Sequence, residues 1–269
     1  MITPAFISIG TRDYIHFDWL GHLKLIIYFE WRIVKFKKVI LSSRSYEEEL
    51  MDDLDASGEV IPQTLKELET INKWLGGNYV TTNGLDQLLK RKQLEKLVIA
   101  DLGCGGGDML KLVAKWAKMR KVEVELIGFD ANPHIIDYAA SNCQGFENIR
   151  FEVCDIFSDE FNQREFDIVL CTLFTHHFTD EQLTRIFNQF KSQAKLGTVI
   201  NDLHRHWLAE FLIKWLTRFF SKSDMVKNDA PLSVRRSFRR NELNAIMKNA
   251  EIDIFHLRWM WAFRWQLIF

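Results

Sequence analysis

Val98-Ile-Ala-Asp101-Leu-Gly103-Cys-Gly105-Gly-Gly107-Asp108 is the stretch that decides how this chain is read. A short apolar run, 97–102, enters a cluster of glycines, and helical spacing resumes over 109–119, so the stretch reads as strand, loop, helix. Glycines at such a turn let the backbone bend sharply and approach a ligand closely. A dinucleotide fingerprint G-x-G-x-x-G starting at Gly103 requires glycine at position 108, and Asp108 stands there. A carboxylate at the start of that helix repels a pyrophosphate and welcomes an ammonium group. With Asp101 at the strand end, the loop suits a cationic, phosphate-free nucleoside.

Outward from this point the period alternates. Residues 122–129 predict a strand, 133–140 a helix with Pro133 in its first turn, and 149–153 a strand. Residues 166–172 follow as strand, 181–194 as helix and 198–203 as strand, and 252–261 and 262–269 read as two closing strands. Seven strands alternating with helices predict an α/β fold with a mostly parallel sheet covered by helices on both faces. Before the sheet, 59–75 predicts a helix stopped by Gly76-Gly77, and 85–94 a second short one. The domain expectation is an extension over 1–45, N-terminal helices over 46–96 and the main domain over 97–269. Within it, 203–241 is a cap insertion containing a helix at 206–220 and a polar stretch at 221–231, ahead of a last helix at 242–249. The cap is a substrate cover or a surface decoration.

A strand-end acid followed by G-x-G-x-G resembles the class I S-adenosylmethionine (SAM)-dependent methyltransferase family, and the resemblance continues in order along 97–269. It implies a Rossmann-like domain with SAM as cofactor. Asp101, Gly103, Cys104, Gly105 and Gly107 would hold the methionine end of the cofactor. Gly128-Phe-Asp130-Ala131-Asn132 places an acid about twenty residues beyond the glycines, where it would take the ribose hydroxyls. Asp155 and Ile156 would flank the adenine, and Thr172 and Leu173, ending the fourth strand, would line the methyl side. Each acid also has a structural reading: Asp101 and Asp108 as helix caps, Asp130 as a turn former, Asp155 as a loop residue.

Methyl transfer from a sulfonium is an in-line displacement that needs alignment, exclusion of water and, for a protonated nucleophile of high pKa, a base. His176, His177 and His204 are the base candidates, with His206 beside them, because they follow the fourth and fifth strands where an open α/β sheet binds its ligand. Hydrogen bonding to loop backbone is the competing role. No metal is expected, since no helical i, i+4 His pair with a carboxylate is present.

Composition narrows the partners. Lys and Arg number 35 against 36 Asp and Glu, net −1 with pI about 6.7, which argues against a nucleic-acid polycation. Four cysteines without a Cys-x-x-Cys pair read as reduced thiols, and with no signal peptide or spanning run near the start the expected location is cytoplasmic. Residues 1–45 mix aromatics with Lys and Arg. They read as a packed extension, an interfacial helix giving peripheral membrane contact, or a stretch upstream of an initiator at Met51. Arg235-Arg236-Ser-Phe-Arg239-Arg240 reads as an anion site, a membrane-facing patch or a solvated loop. The fourth strand end, Cys171-Thr-Leu-Phe-Thr-His-His-Phe178, lacks the Pro-Pro signature of nucleobase and glutamine methyltransferases. It is similar instead to the ubiquinone/menaquinone type, implying a small lipophilic or aromatic acceptor methylated at oxygen or carbon. Aromatics at Trp207, Phe211, Trp215, Phe219 and Phe220 predict a buried helix face or an acceptor pocket. The rival expectations are a SAM-binding scaffold without turnover and a NAD(P)-dependent oxidoreductase.

Overall fold

Residues 41–90, 92 and 96–269 are described by the structure, a computed structural model. The expectations for residues 1–40 lie outside the described residues. The chain divides into two compact units, residues 1–42 and 43–269, and every element named below belongs to the second. A 3-10 turn at Leu50–Asp52 precedes helices α1 (Val60–Trp74) and α2 (Gly77–Leu88). The sheet then begins: β1 (Lys96–Leu102), α3 (Asp108–Arg120), β2 (Glu123–Asp130), α4 (Pro133–Asn142), β3 (Ile149–Val153), a single helical turn α5 (Asp159–Asn162) and β4 (Phe166–Thr172). After a 3-10 turn at Thr175–His177 come α6 (Asp180–Gln193), β5 (Ala194–Leu203), α7 (Trp207–Phe220), α8 (Asp224–Arg236), α9 (Arg240–Asn249), β6 (His256–Met260) and β7 (Arg264–Ile268).

The seven strands form one sheet in the order β3-β2-β1-β4-β5-β7-β6, with β7 antiparallel to both neighbours and the other pairs parallel. This is the mostly parallel sheet that the alternation predicts and the Rossmann-like architecture that the family resemblance implies. Apolar residues on successive positions of β1 point to opposite faces. Leu97 and Ile99 join Leu110, Val113 and Trp116 on one side, while Ala100 and Leu102 join Phe129, Phe166, Phe187 and Phe190 on the other. The order reverses between β1 and β4, so the carboxyl ends of those two strands open the crevice where α/β sheets bind ligands.

Three elements differ from expectation, each for a local reason. The glycine pair at 76–77 ends one helix and starts the next, so α2 begins at Gly77 rather than 85. A Cβ on Gly77 would meet the Asn72 side chain and the Arg264 guanidinium, which makes the pair a tight corner and not a loop. The polar stretch 221–231 belongs largely to α8, N-capped by Ser223 accepting from the Val226 amide at 3.2 Å. Its polar residues bond the segment before α1: buried Asp229 accepts from the Leu50 and Met51 amides, and half-buried Ser233 donates to Glu49 at 3.0 Å. Finally, α7 buries only Ala209 and Thr217 and turns Trp207, Phe211, Leu212, Trp215, Phe219 and Phe220 outward, so the expected buried aromatic face is exposed. No helix among the described residues is long and apolar enough to cross a membrane.

Candidate active site

At the carboxyl ends of β1, β2 and β4 lies a cavity of about 370 Å³, within the range that small-molecule sites occupy. Asp101, Gly103, Cys104, Gly105, Asp130, Ala131, Asp155, Ile156, Thr172, Leu173 and His177 line it. The structure thus brings together four strand ends and one histidine of the sequence-derived set. Gly107, Asn132, His176 and His204 are not in the lining. A Cβ on Gly107 would strike Phe151 at 2.7 Å and Cys143 at 2.8 Å, so this glycine serves helix-to-sheet packing. Asn132 caps α4, accepting from the His134 amide at 2.8 Å and donating to the Ala56 carbonyl at 3.1 Å. None of the residues 203–241 lines the cavity. Part of its wall comes from outside the sheet: Met51, Asp52, Leu54, Leu65, Leu68, Glu69 and Asn72, before α1 and in α1 itself.

The lining carries six carboxylates, Asp52, Glu69, Asp101, Asp108, Asp130 and Asp155, and no Lys or Arg among the described residues. Asp101 is wholly buried, and its Oδ1 has no hydrogen-bond partner among the described residues. Burial, then the charges of Asp108 and Asp130, push its pKa far up. Burial followed by the Glu69 charge lifts Asp108 to about 6. Burial also raises Asp130, although the Asn132 and Gly105 amides donate to it at 3.1 and 3.4 Å and pull the other way. A buried, unpartnered carboxyl beside two further acids is a receptor for a cation. The residues present fit SAM on this ground: Asp101 and Asp108 both line the cavity and would meet its ammonium end, and a Cβ on Gly105 would touch only Leu65, at 3.4 Å. Leu173 holds φ +54, a conformation unusual for a branched side chain, and its amide bonds the Asn201 carbonyl at 2.9 Å.

The two adjacent histidines part company. His176 is buried and gives Nδ1 to Asp202 at 2.7 Å, while its Nε2 lies 3.6 Å from Glu49. Burial would lower its pKa, but the Asp202 and Glu49 carboxylates raise it to about 9, making it an imidazolium at neutral pH and no base. Asp202 is correspondingly held near 2 against the effect of burial, by the His176 charge and hydrogen bonds from His176, Thr175 and the Leu203 amide. His177 reaches the cavity, and its Nδ1 bonds Asp52 at 2.5 Å. Burial works to raise Asp52, but His177, the Glu49 amide and Arg236 hold it well below the usual carboxylate range. An ionised Asp52 accepts only, so it fixes the proton on Nδ1 and leaves Nε2 as the proton-accepting nitrogen.

Arg236 organises this corner. It donates to Asp52 and to the carbonyls of Glu47 at 3.0 Å and His177 at 2.8 Å. Of the expected arginine cluster, Arg236 is therefore buried, Arg235 faces Glu47 and Glu210, and Arg240 lies over Trp265. Glu49, His176 and His177 each bring one potential ligand atom within 4.8 Å of the others. The Arg236 guanidinium 3.8 Å from Glu49 makes the group an ion-pair network rather than a receptor for a second cation. His204 sits elsewhere, against Trp259 and Trp265; burial, then the His206 charge, lowers its pKa to about 4. Sequence reasoning missed Glu49, Asp52 and Asp202 and read Arg236 only as part of an arginine cluster, because their partners lie between 26 and 184 residues away.

Comparison with known proteins identifies the family and the fold. A family model described as a methyltransferase domain matches residues 94–248, more than half of the chain. An uncharacterized methyltransferase of Bacillus subtilis is 32% identical over 84 residues, 30% of this chain and 31% of the relative. A carboxy-S-adenosyl-L-methionine synthase of Helicobacter pylori is 29% identical over 87 residues, 32% of this chain and 35% of the relative. The matched stretch thus spans about a third of each relative's length. Among solved structures, the plantazolicin methyltransferase BpumL with S-adenosylhomocysteine (SAH) superposes with TM-score 0.54 at 16% identity, covering 87% of this chain and 82% of that one. Human N-acetylserotonin methyltransferase with SAM gives 0.56 at 13% identity, covering 83% and 59%. At such identities these structures share the fold.

Proposed function

Since the chain belongs to the methyltransferase-domain family, within the class I SAM-dependent enzymes, we propose that it moves a methyl group from SAM to oxygen or carbon of a small lipophilic acceptor. The observation that carries this reading is the cavity, which runs from the unpartnered carboxyl of Asp101 to the ring of His177. SAM supplies an activated methyl on a sulfonium. In this reading Asp101 and Asp108 take its ammonium end, Asp130 its ribose and Asp155 with Ile156 its adenine. Thr172 and Leu173 bound the methyl side.

The acceptor's proton goes to Nε2 of His177, whose orientation Asp52 sets from a turn outside the sheet. His176 and Asp202, charged and paired, hold the adjacent backbone in place and give up no proton. Met51, Leu54, Leu65, Leu68, Phe157, Phe174 and Phe178 make the rest of the wall apolar, which favours a lipophilic acceptor and excludes water from the displacement. Structural neighbours support small-molecule chemistry as a class: the plantazolicin methyltransferase and the CMeT domain of the citrinin polyketide synthase share the fold.

The test is SAH release, measured with SAM and a panel of phenols, quinols and polyketide-like enols. Turnover with one class, lost on His177→Ala while SAM still binds, supports the reading. SAM binding without SAH release from any acceptor would favour a scaffold.

A further inference from the structure

The residue after β4 holds a backbone that its side chain disfavours. Leu173 has φ +54, and a left-handed residue other than glycine persists only where its surroundings impose the conformation. One restraint comes from Asn201 of β5. Asn201 pairs with Thr172 across the β4–β5 ladder, and its carbonyl accepts from the Leu173 amide at 2.9 Å. Its side chain is wholly buried and makes three further bonds. Nδ2 donates to the Gly77 carbonyl at 2.9 Å and to the Thr81 hydroxyl at 3.1 Å, both in α2, and Oδ1 accepts from Arg264 of β7 at 3.2 Å. A guanidinium only donates, so Arg264 fixes which end of the amide is oxygen. The Thr81 hydroxyl in turn shares a hydrogen bond with that of Thr172 at 3.2 Å.

Thr172 and Leu173 line the cavity, whereas Asn201, Thr81 and Arg264 stand behind it. Any effect of these three on a ligand therefore passes through the end of β4. The Asn201 amide uses both its hydrogens and its oxygen where water does not reach, so turning it would leave buried polar groups unpaired. Its backbone carbonyl, which receives the Leu173 amide, is thereby held in one place. We propose that Asn201 is a positioning residue for methyl transfer: by its own carbonyl and through Thr81 it holds Leu173 and Thr172 against the cofactor's methyl group. This rests on the reading that those two residues bound the methyl side of SAM. A tie that served stability alone would leave ligand discrimination untouched. A tie aimed at the methyl also sets how well the site tells SAM from SAH, which lacks it.

The experiment is titration calorimetry of the full chain with SAM and with SAH, on Asn201→Leu, Thr81→Val and the conservative Thr81→Ser, each checked for folding by its melting transition. These substitutions change no charge, so a shift in the ratio of the two affinities reports packing around the methyl and not the sulfonium charge. One methyl group in a fitted pocket is worth about tenfold or more in affinity. Asn201→Leu and Thr81→Val should therefore weaken SAM at least about threefold more than they weaken SAH, while Thr81→Ser, which keeps the hydroxyl, retains the original ratio. If Asn201→Leu, which leaves buried Arg264 short of a partner, does not fold, Thr81→Val decides alone. Equal weakening of both ligands, or no change in either, overturns the proposal and leaves the reading of the cavity standing. An unsubstituted chain that binds neither ligand overturns that reading, and the proposal with it.

Discussion

Gly105 and Gly107, two residues apart in the loop after β1, should respond to the same substitution in opposite ways. Both hold left-handed backbone, φ +49 and +73, so alanine at either costs about 1–2 kcal/mol. Beyond that they differ. A Cβ at 107 lands 2.7 Å from the Phe151 ring and 2.8 Å from the Cys143 sulfur, inside packed core, which adds about 1–3 kcal/mol of overpacking. A Cβ at 105 meets only Leu65, at 3.4 Å, on the wall of the cavity. Gly107→Ala should therefore cost roughly 2–5 kcal/mol of stability, and Gly105→Ala only about 1–2 kcal/mol. For a domain of this size each kcal/mol lowers the melting temperature by about 2–4 °C.

Affinity should rank the other way. The methyl of Gly105→Ala intrudes where the cofactor's methionine end lies and should weaken SAM by at least about tenfold, or 1.4 kcal/mol. Gly107→Ala, away from the lining, should change affinity less. Scanning calorimetry and titration calorimetry with SAM read the two quantities separately. Should Gly105→Ala bind SAM as tightly as the unsubstituted chain, the ligand does not press on this loop. Should Gly107→Ala melt no lower than Gly105→Ala, the packing argument fails.

Asp130→Ala should weaken SAM by about 1–3 kcal/mol, the scale of charge-assisted hydrogen bonds, and unchanged calorimetric binding would detach Asp130 from the cofactor. SAM affinity should fall as pH drops from 7 to 5, because Asp108, near 6, and Asp101, raised by burial and by the Asp108 and Asp130 charges, must ionise to meet a cation; proton release on binding, measured in buffers of different ionisation enthalpy, checks the sign. Asp202→Asn strips the buried His176 imidazolium of its main partner and should cost about 3–5 kcal/mol, read as a lower melting temperature. His204, held neutral down to about 4, keeps its full contribution above its unfolded pKa near 6.5 and loses it as pH falls. His204→Phe should flatten the acid side of the stability profile, and an unaltered slope would refute that assignment.

The strands and their terminal acids were legible because each depends on neighbours in sequence. An apolar run bounded by turn residues specifies a buried parallel strand, and β4 falls at 166–172 as read, while the alternating β3 at the sheet edge falls at 149–153 as read. What stayed hidden depends on distant chain. Residues 221–231 look like a loop because Asp229 and its neighbours are polar, yet Asp229, like Ser233 one turn on, is satisfied by residues 49–51, about 180 positions away. Distance also hides Asp52, which meets His177, 125 positions away, only once the turn at Leu50–Asp52 lies against it. For α7 the helical period was right and its inference misleading. A 3.6-residue apolar period states that one face is greasy and leaves open whether that face turns inward.

The acids around the cavity also bear on which ligand it accepts. Burying carboxylates together is unfavourable, and here Asp101, Asp108 and Asp130 all respond by moving toward their neutral forms. Such an arrangement persists where a ligand relieves it, and the relief must come from positive charge. A dinucleotide would add its diphosphate to a wall of six carboxylates without a Lys or Arg among the described residues, and every charge contact there would be repulsive. A sulfonium nucleoside with an ammonium tail reverses the sign. Its binding draws Asp101 and Asp108 into their charged forms and converts their mutual repulsion into attraction for the ligand. In the proposed reading, discrimination against nicotinamide cofactors would reside in the electrostatics of the whole wall, with Asp108, the residue that breaks the glycine pattern, one of its members rather than its sole cause.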